Sequence, residues 1–239
     1  MVTPPDVALR FRDEGVAPHG PKHTTSPQMR HMAGSAGFAS GRDMMVRRLA
    51  GETLTLDADG ALSATSLSAA TATLAAGRRL DGARIRAGAL EAQSGGAMTL
   101  ADLTHGSASL AAGGTLSLAR AQGGALTATA ASAVLSDLAV ARLEATAEGD
   151  LTARRIQAEG RVQLAGQGVA ITDLSAGGAI EALATGDLTA ARVRGEGDVA
   201  LAAGDRARLD QVSAGRRLSV LAEGEGGEGP ALVLRSIET

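Results

Sequence analysis

The sequence predicts an all-β fold, a parallel β-solenoid of about ten coils of roughly 18–20 residues. Three observations predict it: a fixed apolar period in the second half of the chain, glycine-rich turns between short alternating stretches, and a core that must form almost without aromatic residues. Such a pattern is typical of stacked coils, because each coil buries its apolar side chains only against its neighbours.

The apolar period is clearest between residues 151 and 220, where four sets of Leu, Ile, Val and Ala repeat in steps of 18, 19 and 19 residues. The sets are Leu151, Val169, Leu188 and Ala207; Ile156, Leu174, Val193 and Val212; Val162, Ile180, Val199 and Leu218; and Leu164, Ala182, Leu201 and Val220. Equivalent positions of stacked coils form columns in the core. The period is looser before residue 151, so we expect the best-formed coils in the C-terminal half.

Two copies define the coil. Residues 149–167 read GDLTARRIQAEGRVQLAGQ and residues 186–204 read GDLTAARVRGEGDVALAAG, with 11 of 19 positions identical. Alternation over four to six residues, as in Arg-Val-Gln-Leu at 161–164, predicts strands, and the glycine pairs between them predict tight turns. Each coil therefore has two or three short strands, and at about 4.8 Å per coil the rod is about 50 Å long.

The composition agrees with this architecture. The only aromatic residues are Phe11 and Phe38, and between residue 45 and Gly229 there is no proline, which would remove donors from a ladder of strands. The chain has no cysteine, so disulfides and thiolate metal sites are excluded. No apolar run approaches the ~20 residues of a membrane helix, and the first 30 residues lack a secretory signal.

Two segments depart from the period. Residues 125–148 are rich in alanine and leave a helix open, although their alternation favours another coil. GEGGEG at 224–229 precedes a last strand at 231–237, and Ile237 follows Val212 by 25 residues. This spacing equals one coil plus six residues, which we interpret as an inserted loop.

Residues 1–44 form a separate block that carries five of the six prolines and no period. We interpret them as a disordered leader or a segment added by cloning, and residues 45–239 as the repeat domain. His19, His23 and His31 lie in this block and could bind a metal only loosely, because no scaffold orients them. We therefore expect no metal site and no cofactor.

Two motifs invite a catalytic interpretation. GEGGEG matches the dinucleotide-binding pattern GxGxxG, but Pro230 and a strand follow it where a helix is required, so we expect a turn. His105 is the only histidine of the repeat domain, and without an identifiable nucleophile we expect an exposed turn residue rather than a general base.

The acidic residues recur at turn positions: Asp150, Asp187, Asp198, Asp205 and Asp210. Parallel β-helices host sugar-cleaving enzymes, which group such carboxylates and often add a stacking aromatic residue. Pairs such as Asp187 with Asp205, or Asp150 with Glu148, could lie near each other. Any solenoid with one acid per turn offers such pairs, so we expect no catalytic residues.

Arginine pairs at 47–48, 78–79, 154–155 and 216–217 could stack into a basic stripe for nucleic acid or anionic glycans. Residues 45–239 contain 18 Arg and 22 acidic residues, so 18 − 22 gives a net charge of −4. This balance favours a mixed, solvated surface without nucleic-acid binding, and leaves a weak glycan contact open.

The coil pattern, in stretches such as AAGGTLSLARAQGGALTATA (111–130) and AEGDLTARRIQAEGRVQLAGQG (147–168), resembles the haemagglutinin repeats of the filamentous haemagglutinin family, the large exoproteins of bacterial two-partner secretion. The likeness covers residues 46–239. It implies a right-handed parallel β-helix, a secreted or cell-surface location, an outer-membrane two-partner transporter, and contact with host cells or glycans without membrane insertion. The family's secretion domain has no counterpart here, which favours a fragment of a longer protein.

The expected function is therefore a non-catalytic structural rod of an adhesin. Three alternatives remain open: the stalk of a contact-dependent inhibition toxin, a polysaccharide-acting β-helix enzyme, and an intracellular scaffold of the bactofilin or pentapeptide-repeat type. The pentapeptide unit A-[DN]-L-x-x is matched once, beginning with Ala101-Asp102-Leu103-Thr104, and does not run consecutively.

Overall fold

The computed structural model describes residues 7–8, 34–224 and 232–238 and shows a parallel β-solenoid of about ten coils. Its sixteen strands form one continuous hydrogen-bonded network, and the described residues contain no helix. The predicted fold class is confirmed.

The strands are β1 (Val7–Ala8), β2 (Ser35–Ser40), β3 (Met44–Val46), β4 (Leu49–Ala58), β5 (Ala61–Ala76), β6 (Arg79–Ser94), β7 (Met98–Ala147), β8 (Leu151–Ala158), β9 (Val162–Gly166), β10 (Val169–Ala176), β11 (Ile180–Ala184), β12 (Leu188–Gly195), β13 (Val199–Ala203), β14 (Ala207–Ala214), β15 (Leu218–Ala222) and β16 (Leu232–Glu238). β7 covers residues 125–147 of the alanine-rich segment, so that segment is β-strand and belongs to the coils of the solenoid, not to a helix.

The four predicted columns are confirmed as register pairs of stacked parallel strands. Leu151 pairs with Val169, which pairs with Leu188, and the other three sets follow the same steps. Val212 pairs with Ile237, so the six-residue insertion is also confirmed by the register.

The expectation of looser coils before residue 151 is wrong. Leu49, Leu67, Ile85 and Leu103 pair in steps of 18 residues, as regular as any step in the C-terminal half. The order is hard to see in the sequence because other columns mix Leu with Ala, which weakens the apolar signal. Leu54, for example, pairs with Ala72.

The boundary predicted between residues 44 and 45 is also too late. β2 lies within the predicted leader and pairs with β4, with Ala36 beside Leu54 and Phe38 beside Leu56. Ala36 is buried and Phe38 packs against the core, so this short strand continues the core columns by one coil. The first 33 residues, apart from Val7 and Ala8, lie outside the described residues.

Corners divide each coil of the C-terminal half into three straight segments. The first corner is the one that lies inside the longer strand of each coil. Asp137, Arg155 and Asp173 occupy it in three successive coils, and all three have a left-handed backbone, with φ of 56°, 50° and 60°. In the N-terminal half a comparable corner uses glycine: a Cβ on Gly88 would lie 2.6 Å from the carbonyl oxygen of Ala70 in the coil before it. Only glycine allows that close approach between coils.

The interior is a single cluster of Leu, Ile, Val, Ala and Met side chains that runs through the solenoid. Burial declines at the C-terminal end. Leu234 pairs with the buried Leu209, yet it is 43 % exposed because no further described strand covers it.

Candidate functional site

The structure distributes the predicted acidic residues over several corners of the coils. Asp187 lies beside Arg206, with 3.9 Å between the Asp187 Oδ1 and Arg206 Nε atoms, and both side chains are exposed. Asp205 lies at the same corner in the next coil, where its N–H donates to the Gly186 carbonyl, whereas the backbone carbonyl of Asp198 accepts the N–H of Ile180 at another corner. Within the described residues no three His, Asp or Glu side chains are grouped to hold a metal ion.

The four arginine pairs do not form a basic stripe. Arg79 donates a hydrogen bond to Asp81 at 2.9 Å, and Arg155 pairs with Asp137. Arg154 has Ser136 and Thr172 as its register neighbours. No pair has another pair in the adjacent coil, so their charges are spread along the rod.

The expectation that His105 is an exposed turn residue is wrong. It lies within β7, pairs with Ala87, and is only 4 % exposed. Neither ring nitrogen has a hydrogen-bond partner. Burial lowers the pKa of His105, because the charged imidazolium would lose its hydration there.

The reason for this burial is the position of His105 in the coil. It occupies an inward-facing position immediately before the corner residue Gly106, where the coil before it has the small, buried Ala87. The coil after it provides space by glycine: Gly123 has φ of +152°, and a Cβ there would lie 3.1 Å from the His105 Cγ atom. The sequence showed a lone histidine but not which way its side chain points.

The predicted leader histidines, His19, His23 and His31, lie outside the described residues, as does the GEGGEG segment apart from Gly224.

The most extensive polar feature is a charged ladder at the first corner of the coils. Its eight members alternate in sign along the rod, and each is contributed by the next coil. Seven of them share one register column, namely Arg84, Asp102, Arg120, Asp137, Arg155, Asp173 and Arg192, and the eighth, Asp210, lies one residue before Gln211, the register partner of Arg192. Asp102 pairs with Arg120 and Asp173 with Arg192, and the Arg155 Nη2 atom lies 2.7 Å from the Asp137 Oδ2 atom.

The ladder shifts the ionisation of its members. The hydrogen bond donated by Arg120 holds the pKa of Asp102 below its usual range, and Arg155 and Arg192 lower the pKa of Asp137 and Asp173 in the same way. The acids in turn raise the pKa of Arg120, Arg155 and Arg192. Asp102, Asp137 and Asp173 are therefore charged at neutral pH together with their arginine partners, and by residue type the ladder has four positive and four negative members.

A shallow groove runs beside the charged ladder on the next segment of the coil. Its other wall is a polar column of outward-facing residues, among them Ser68, Arg86 and Thr104 in one half and Gln157, Ser175 and Arg194 in the other. The column is built by register pairing, and most coils add one polar side chain to it, with Ala139 beside Gln157 as an exception. This geometry offers repeated hydrogen-bonding groups to an extended ligand but no paired nucleophile and base.

The sequence contained a signal for the charged ladder. Applying the 18- to 19-residue period to charged residues instead of apolar ones gives Arg84, Asp102 and Arg120 in one column. Only the apolar residues revealed the period, because surface charges are also abundant at unrelated positions.

No helix of the described part of the chain has the length and apolarity needed to cross a membrane. Comparison with protein-family models, curated proteins and solved structures gave no match. The fold and the residues themselves are therefore the basis for a functional proposal: the chain is a β-helix repeat protein.

Proposed function

We propose that this chain is a non-catalytic structural rod segment of a secreted or cell-surface bacterial adhesin of the filamentous haemagglutinin type. The observation that carries the proposal is the parallel ladder that runs in register from β2 to β16 around one apolar core. Backbone hydrogen bonds from coil to coil make such a rod stiff, and stiffness and reach are what a stalk requires.

The surface supports a role in contact rather than in chemistry. The charged ladder is neutral overall, and the groove beside it repeats polar side chains at a spacing of about 4.8 Å per coil. A repeating polar groove suits weak, repeated contacts with a glycan or another extended surface partner, and many such contacts together give avidity.

The test is adhesion without turnover. Beads coated with the purified chain are expected to bind erythrocytes, epithelial cells or immobilised glycans, and soluble polysaccharides incubated with the same protein are expected to keep their length. Depolymerisation of any polysaccharide by the purified chain would overturn the proposal, as would the failure of coated beads to bind any of these surfaces.

A deletion tests the rod itself. Removing residues 150–186 joins Gly149 to Asp187, which is the equivalent of Asp150 in the second sequence copy, and removes two coils. The variant is expected to fold into a rod about 10 Å shorter, measured by small-angle X-ray scattering. A deletion of residues 150–177 removes one and a half coils and serves as the matched control, since it breaks the register and is expected to unfold the end of the rod.

A further inference from the structure

An apolar stripe lies on the outward face of the last four coils. Its members are register neighbours on β9, β11, β13 and β15: Ala165, Leu183, Ala202 and Leu221. Leu183 is 49 % exposed and Leu221 is 54 % exposed, more than any other large hydrophobic side chain of the described residues. The residue before them in the same column is polar, because Thr146 pairs with Ala165.

The stripe alternates alanine and leucine. The same stripe in the opposite direction therefore has leucine where the first has alanine. If a second copy lies face to face and antiparallel, with a two-fold axis between the coils of Leu183 and Ala202, each Leu faces an Ala. Leu183 then faces Ala202 of the second copy, and Ala165 faces its Leu221. Each leucine would then project into the space that an alanine leaves, so the two surfaces are complementary in shape.

The neighbouring column is compatible with the same arrangement. It contains Gln163, Glu181, Ala200 and Ser219. The two-fold axis places Glu181 opposite Ala200 and Gln163 opposite Ser219, so the carboxylates of the two copies do not meet. Glu181 also keeps its own ion pair with Arg161, at 2.5 Å.

We propose that this stripe is a contact between two antiparallel copies of the chain. The occupant is a second copy because the Ala-Leu alternation and the adjacent column both match themselves under one two-fold axis. Four side chains per copy cover far less than the about 800 Å² per partner of a standard interface, so the contact is weak and depends on concentration.

Substitutions distinguish a shape-complementary Leu-Ala contact from non-specific hydrophobic association. Leu183→Ala leaves Ala facing Ala, and Ala202→Leu leaves Leu facing Leu, so each is expected to weaken dimerisation about tenfold, equivalent to about 1.4 kcal/mol. The double variant Leu183→Ala/Ala202→Leu restores a Leu-Ala pair and is expected to dimerise like the wild type. Val134→Ala, at an outward position 39 % exposed on another column, is the matched control and is expected to change nothing. Sedimentation equilibrium of the full chain measures all four.

The orientation of the copies is measurable because the chain has no cysteine, so single spin labels can be placed cleanly. In the antiparallel pair, labels at Thr129 are expected about 34 Å apart along the rod and labels at Gln93 about 53 Å apart, since they lie seven and eleven coil spacings from their mates. Parallel pairing would give the same distance at both sites, and pairing through the C-terminal ends would lengthen both by about 19 Å. Either pattern would overturn the proposal, as would a monomer at all concentrations or stronger dimerisation of Ala202→Leu.

Discussion

Acid is expected to destabilise this solenoid through His105. Burial lowers the pKa of His105 below its ordinary value of 6.5. As the pH falls through 6.5, the unfolded chain therefore binds a proton at His105 that the folded chain does not bind. By linkage, the free energy of unfolding then decreases by up to about 1.4 kcal/mol for each pH unit, until the pH reaches the lower pKa of the folded state.

The acidic groups with shifted pKa do not interfere in this window. Asp102, Asp137, Asp173 and Glu181 all have pKa values lowered by arginine hydrogen bonds, so their contribution to stability is nearly complete above about pH 5 and is lost as the pH falls below it. Between pH 7.5 and 5.5 the change in stability therefore reports on histidine.

The assay is urea unfolding followed by far-UV circular dichroism at pH 7.5 and 5.5, for the wild type and for His105→Leu. The variant removes two buried nitrogens that lack hydrogen-bond partners, each of which costs about 1–3 kcal/mol, so we expect it to be at least as stable as the wild type at pH 7.5. The wild type is expected to lose up to about 1.4 kcal/mol between the two pH values, and the variant close to none. The three other histidines are present in both proteins and cancel in the difference.

Hydrogen exchange locates the effect, because a solenoid coil is stabilised mainly by its nearest neighbours. Faster exchange at pH 5.5, corrected for intrinsic rates, is expected in peptides covering residues 98–124 and not in those covering residues 180–214. Equal pH dependence in wild type and His105→Leu would refute the reasoning, and so would a uniform increase along the rod.

Gly88→Ala places a Cβ 2.6 Å from a backbone oxygen of the preceding coil and is expected to destabilise the protein by more than about 1 kcal/mol in urea unfolding. The control Gly37→Ala, with no atom within 4 Å of its Cβ, is expected to be neutral or stabilising. Equal effects of the two substitutions would contradict a close approach between coils at Gly88. Leu116→Ala, at a fully buried core position, is expected to lower the free energy of unfolding by about 2–5 kcal/mol, against less than about 0.5 kcal/mol for the outward Val134→Ala. Asp137→Asn keeps a residue type that tolerates φ of 56° but removes the negative charge. The urea midpoint is expected to fall slightly at low salt and to match the wild type in 1 M NaCl, where charges are screened within about 3 Å. A difference that persists in 1 M NaCl would exclude the ion pairs as its cause.

The register of the second half could be predicted because its columns repeat bulky aliphatic residues, as in Ile156, Leu174 and Val193. In the first half Leu54 pairs with Ala72, Leu90 and Ala108 follow, and the alternation hides the same regularity. The first coil at β2 was missed for a related reason, since Ser-Ala-Gly-Phe-Ala-Ser offers only Ala36 and Phe38 to the core.

The candidate site depends on which way side chains point, and the sequence does not give that directly. His105 lies inside because an inward-facing position falls immediately before the corner glycine, a position that the period alone does not mark in this half of the chain. The charged ladder follows from register once the coils are aligned, because Arg84 and Asp102 then become neighbours.

The alternation in the first half also addresses a difficulty that every solenoid has, namely that similar coils can pair in the wrong order. In the charged ladder, a chain that skipped one coil would bring Arg84 beside Arg120 and leave Asp102 unpaired, and like charges placed directly opposite each other are destabilising. In the core, the same skip would bring Leu54 beside Leu90, where the native order has Ala72 between them. Two leucines stacked in a space shaped for a leucine and an alanine overpack the column. Both patterns have a period of two coils, so both disfavour a slip of one coil, and a sequence of nearly identical repeats thereby specifies one register.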